Sequence, residues 1–102
     1  SKSMFEYWTE DDFAASFRKM LTIEQFRSEE MQKLYQQYLV AGPASYVKDL
    51  FDSMGFTNAK NKAVRFYSVL YFYYSIYDGA ADKEKVKVEF VSAIKSLVQE
   101  LK

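Results

Sequence analysis

NKAVRFYSVLYFYYSIYD, residues Asn61 to Asp78, is apolar or aromatic at almost every position from Val64 onward and is stopped by Gly79. At about 100° per residue, Ala63, Phe66, Tyr67, Val69, Leu70, Tyr73, Tyr74 and Tyr77 share one broad helical face. Asn61, Val64, Ser68, Phe72 and Ser75 share the other. An ordinary surface helix carries charge on its second face; this one does not, so it needs cover on both sides. In a chain of 102 residues, one of those faces is expected to meet another molecule. The stretch therefore predicts an all-α, self-associating domain with an aromatic interior.

Working outward, Asp78-Gly79-Ala80-Ala81-Asp82 is the clearest loop, and Asp82 is placed to cap a last helix. Along that helix Val86, Phe90, Ala93, Ile94, Leu97, Val98 and Leu101 form a stripe of roughly 140°, widened by Val91, enough for the protomer core and a partner together. Upstream, the central helix starts near Thr57 or Asn58, and Gly55 closes a helix with the stripe Tyr46, Val47, Leu50, Phe51 and Met54. Gly42 suits a left-handed helix end and Pro43 a following first turn, so Gly42-Pro43 is either a sharp turn or a kink in one long helix. Before it, Ser28-Glu29-Glu30 marks a start, with Met31, Leu34, Tyr35, Tyr38 and Leu39 on one face. Thr9 is placed to cap an earlier helix with Glu10, Asp11 and Asp12 in its first turn, and Phe13, Phe17, Met20 and Leu21 form its inward stripe. Met4 to Trp8 reads as the last turn or two of a longer helix. No alternating strand pattern, repeat or linker is present, so the chain is four or five antiparallel helices in one domain.

Lys plus Arg and Asp plus Glu are 14 each, and the zero formal charge lacks the basic footprint of a domain that grips phosphates by itself. Cysteine and histidine are both absent. With them go disulfides, thiolate and imidazole metal sites and most acid/base chemistry near neutrality, so neither an enzyme nor a bound cofactor or metal is expected. The Val64 to Tyr77 run is shorter than the roughly 20 residues of a membrane span, and its tyrosine hydroxyls would be costly in hydrocarbon. No signal peptide is visible; a soluble, cytoplasmic protein is expected.

The paired carboxylates Asp11-Asp12 and Glu29-Glu30 match the charge preference of helix first turns, and consecutive residues point about 100° apart, so neither pair converges on one substrate atom. The nine Phe, nine Tyr and one Trp carry more information. Core packing accounts for any single one of them. Burying Tyr35, Tyr38, Tyr46, Tyr67, Tyr71 and Tyr74 together, however, brings several hydroxyls into one interior, a common form of small-molecule pocket, with Met20, Met31 and Met54 as adaptable wall or plain core filler. Lys62 and Arg65 face either an anionic ligand, an aromatic ring or the solvent edge. Asn61, Ser68 and Ser75, seven apart, form a small-residue seam along which a second helix can approach closely, or a coincidence of surface positions.

Two stretches, FRKMLTIEQFRSEEMQKLYQQYLVAGPASYVKDLF (Phe17 to Phe51) and KAVRFYSVLYFYYSIYDG (Lys62 to Gly79), with the amphipathic terminal helix behind them, resemble the C-terminal regulatory domain of the tetracycline-repressor (TetR) family of transcription factors. The likeness spans roughly Phe5 to Leu101 and rests on helix order, lengths and diffuse character. It implies a homodimer in which the last two helices pair with their copies in a four-helix bundle, and an inducer pocket enclosed by the earlier helices. On this chain the dimer role falls to Val64, Ser68, Phe72, Ser75, Phe90, Ile94, Leu97 and Leu101. The pocket role falls to Phe13, Phe17, Met20, Tyr35, Tyr38, Phe51, Tyr67 and Tyr74. The expected ligand is an unidentified small, largely apolar molecule. DNA would be read only through an N-terminal helix-turn-helix domain that this chain lacks. A helical protein-interaction module, its aromatic groove taking a partner's amphipathic helix, is the alternative.

Overall fold

The computed structural model describes residues 2–102, and among these every regular element is helical. The elements are α1 (Lys2–Glu10), α2 (Asp12–Glu24), α3 (Glu29–Tyr35), a π turn (Gln36–Val40), α4 (Ala41–Ser53), α5 (Ala59–Gly79) and α6 (Lys83–Leu101). Since α3, the π turn and α4 run on without a break, the fold is five rods with short connections. Ser28 and Asp82 cap α3 and α6 as expected, accepting from the backbone N–H of Met31 and Lys85. At α2 the cap is Asp11, which accepts from Ala14, whereas Thr9 belongs to α1 and turns its hydroxyl back onto the Phe5 carbonyl.

Gly42-Pro43 is neither a turn nor a helix end. Pro43 has no N–H, so the carbonyl of Leu39, four residues earlier, loses its ladder donor. The backbone widens just ahead of it, the Ala41 N–H reaching back to Gln36, and the freed Leu39 carbonyl is taken by the Tyr67 hydroxyl from α5. Gly42 is needed for crowding: a Cβ there would lie 1.8 Å from the Gln37 carbonyl oxygen.

The α5–α6 hairpin is antiparallel, as its short link requires. Arg65 near the start of α5 pairs with Glu100 near the end of α6 at 3.0 Å. α5 packs on α4 and α6 and, through its C-terminal half, on α1. Its inward side is the predicted one: Ala63, Tyr67, Leu70, Tyr74 and Tyr77 are buried. The centre of the core is Phe5, wholly buried, with its ring stacked on Phe90 at 4.3 Å and on Tyr74 at 5.5 Å and edge-on to Tyr77. Two smaller clusters flank it, Val47, Phe51, Ala59, Ala63 and Leu101 on one side and Leu21, Tyr35 and Leu39 on the other.

The molecule is a slab of 38 × 34 × 17 Å. Its radius of gyration of 14.2 Å exceeds the roughly 13 Å expected for this length. Its accessible surface of 6585 Å² likewise exceeds the roughly 6000 Å² expected for this mass. The excess has an address. Phe13, Tyr46, Met54, Val64 and Phe72 are each at least half exposed, because the chain covers only part of each wide apolar stripe. No helix of the described residues is long and apolar enough to cross a membrane.

Candidate functional site

Two cavities adjoin α5. The larger is an open groove of about 1100 Å³ between α5 and the α3–π–α4 rod. Tyr35, Tyr67 and Tyr71 line it together with Val40, Ala44 and Ile76; Lys48 and Lys60 also border it. The smaller, about 360 Å³, lies where α2 and the π turn meet α5 and is bordered by Arg18, Lys19, Thr22, Ile23, Leu39 and Asp78. Tyr67, Tyr71 and Ser75 line both, so the two are separated by little more than the rings of α5.

The tyrosine tips gather here because π-turn geometry and helix periodicity bring them together. Tyr35 and Tyr71 share a hydroxyl–hydroxyl bond, and Tyr67 donates to the Leu39 carbonyl. Tyr74, 3% exposed, has no hydrogen-bond partner for its hydroxyl. Burial disfavours the phenolate and raises the Tyr67 and Tyr74 hydroxyls well above the usual tyrosine range, the nearby Arg18 cation opposing this only in part. Tyr71 is pushed up to about 12, by burial first and its bond to Tyr35 second. These hydroxyls stay protonated at any physiological pH, which suits hydrogen bonding and not acid/base turnover.

Arg18 was not singled out by the sequence reading. It is 6% exposed, with Nη2 donating to Asp78 Oδ1 at 2.6 Å, Nε to the Trp8 carbonyl at 3.0 Å, and its guanidinium 5.3 Å from the Tyr74 ring centre. The signal lay in the small residues: α2 buries Ala14, Ala15, Arg18 and Leu21, the side where neighbouring backbones approach. Of the expected stripe, Leu21 is wholly buried and Phe17 packs partly against the Leu21, Tyr35 and Leu39 cluster, whereas Phe13 and Met20 are turned outward. Phe13 is 75% exposed and stacks on Phe17, which meets Tyr38 edge-on, so these three, with Met20, border neither cavity.

Of the residues expected at the pocket, then, Tyr35 and Tyr67 meet at the larger groove and Tyr67 and Tyr74 at the smaller cavity, whereas Phe51 is core beside Val47 and Ala63. Of those expected at the dimer face, Val64, Ser68, Phe72 and Ser75 are exposed and line the larger groove. Phe90, Ile94 and Leu101 are buried within the protomer, and Leu97 packs against the Phe51 cluster, because one side of α6 is consumed by α1 and α5. Phe90, Ile94 and Leu101 are thus unavailable to a second copy, and Leu97 keeps only part of its surface. Lys62 lies 5.3 Å above the Phe56 ring, and Arg65 is at the solvent edge with Glu100.

Comparison with models of protein families, with curated proteins and with solved structures finds no match for this chain.

Proposed function

We propose that this chain is the effector-binding and dimerisation domain of a transcriptional repressor of the TetR type, sensing a small, largely apolar ligand. One observation carries the reading: an apolar groove of about 1100 Å³, floored by the Tyr35, Tyr67 and Tyr71 rings, opens on a slab with unsatisfied apolar surface. A ligand lies along the tyrosine floor, and the rim of Val64, Ser68, Phe72 and Ser75 meets the second copy. Tyr67 is bonded to the π turn and its neighbour Tyr74 stacks on Phe5, so a ligand that moves these rings also moves α1. α1 is the element to which an N-terminal DNA-reading domain would connect.

Light scattering at micromolar concentration tests this: the expected mass is twice the 12.0 kDa of one chain, and a clean monomer overturns the proposal. Ser68→Arg or Ser75→Arg should give monomers that keep their helices. Because the groove opens to the surface between two rods and is lined mainly by apolar side chains, a second reading has the helix of another protein lying in it. Native mass spectrometry separates the two, a copurified small molecule supporting the first and an empty groove that takes an amphipathic peptide supporting the second.

A further inference from the structure

The smaller cavity differs from the groove in being bordered by a buried cation. Arginine carries five N–H donors in a fixed fork. Nε and Nη2 of Arg18 are engaged by Trp8 and Asp78, and the Nη1 edge has no partner among the described residues. Tyr74, which lines the same cavity, holds a hydroxyl that is buried and likewise unpartnered. An orphaned buried hydroxyl costs free energy unless something accepts from it. Around the cavity Arg18 and Lys19 face the single carboxylate of Asp78, at 2.6 and 4.0 Å, so the excess positive charge is that of Lys19, more than half exposed at the mouth. Ile23, Leu39 and the tyrosine rings make the rest of the wall apolar.

We propose that this cavity is a subsite for a small monocarboxylate with an apolar or aromatic body. The carboxylate engages the free edge of the Arg18 fork and accepts from the Tyr74 hydroxyl, while the body lies against Ile23 and the rings. The proposal rests on the ligand-binding reading above and adds to it an anionic subsite across the α5 rings from the groove. One negative charge balances the two cations and one carboxylate around the cavity, which a phosphate dianion would overshoot. A volume of about 360 Å³ is at the lower end of small-molecule pockets, roughly 300 to 1000 Å³. A neutral apolar guest would leave both the hydroxyl and the guanidinium edge unpaired, the kind of mismatch that a polar site rejects most strongly.

Calorimetric titration of the full chain with benzoate and with its uncharged counterpart benzamide tests the assignment. Benzoate should bind one per chain, and benzamide about tenfold more weakly or worse. Tyr74→Phe should weaken benzoate about tenfold while circular dichroism stays unchanged. Asp78→Asn, which removes the competing carboxylate, should tighten it roughly threefold or more. Equal affinity for the two probes, unchanged benzoate affinity in Tyr74→Phe, or no benzoate binding by a dimer of the expected mass overturns the subsite and leaves the proposed function standing. A monomer that binds benzoate with the stated pattern supports the subsite and overturns the dimer reading.

Discussion

Tyr67 and Tyr74 are about two helical turns apart on the same face of α5, and they fare differently. Tyr67 satisfies the carbonyl that Pro43 leaves without a donor, whereas the Tyr74 hydroxyl satisfies nothing. Removing the first hydroxyl strands a buried acceptor. Tyr67→Phe should therefore cost about 1–3 kcal/mol of unfolding free energy. Tyr74→Phe should be neutral or raise stability by about 1 kcal/mol, since a desolvated hydroxyl without a partner is a net cost. Urea denaturation of the two variants checks the contrast, and equal losses would contradict the assigned bonding. Periodicity places both rings inward, but it is silent on which hydroxyl finds a partner, because that depends on a backbone carbonyl 28 residues away.

Among the elements, the rod from Glu29 to Ser53 stays helical across a proline only because the π turn absorbs the lost bond and Gly42 accepts the close approach. Gly42→Ala drives a methyl group into backbone, which cannot move aside as a side chain would. The expected loss is about 3 kcal/mol or more, measured by thermal unfolding, with Gly79→Ala as a control in open space. α1 is held by its apolar ring and by ion pairs: Lys87 of α6 reaches Glu6 and Glu10, each at 2.9 Å. The Lys87 hydrogen bond, foremost among the causes, holds the Glu6 carboxyl below its ordinary 4.5. A depressed carboxyl contributes stability that is complete above the unfolded value and is lost as pH falls through the folded one. Melting temperature should thus decline as pH drops below about 4.5, and the decline should be shallower in Lys87→Met. An identical acid profile in both proteins would remove the latch from the account. Caps such as Ser28 and Asp82 were legible because the signal is local; the π turn was not, because nothing within the rod shows where its orphaned carbonyl is satisfied.

For the whole molecule, the question is which apolar surface belongs to the protomer and which to a partner. Phe90 is 1% exposed and stacked on Phe5, and Phe72 is 57% exposed at the groove. Phe90→Ala should destabilise the fold by about 3–5 kcal/mol. Phe72→Arg should leave unfolding within about 0.5 kcal/mol under monomeric conditions and lower the mass measured by light scattering. If Phe72→Arg instead unfolds the chain, the face around it belongs to the protomer.

What the sequence determined by itself was the helical class, the loop between α5 and α6, the caps at Ser28 and Asp82, and the inward side of α5. All follow from local preference and from a period of 3.6, which neighbouring residues carry in full. The tertiary structure alone decided that α2 turns its alanines and Arg18 inward and Phe13 outward, and that α6 spends Phe90, Ile94 and Leu101 on its own core. It also decided that the Ser68 and Phe72 face of α5 walls a groove. Stripes wider than one neighbour can cover leave two rotations open, and close approach of backbones, which favours small residues over large ones, selects between them. Asn61 to Asp78 announced too much apolar surface; only the packing of the other rods showed which half of it stays uncovered.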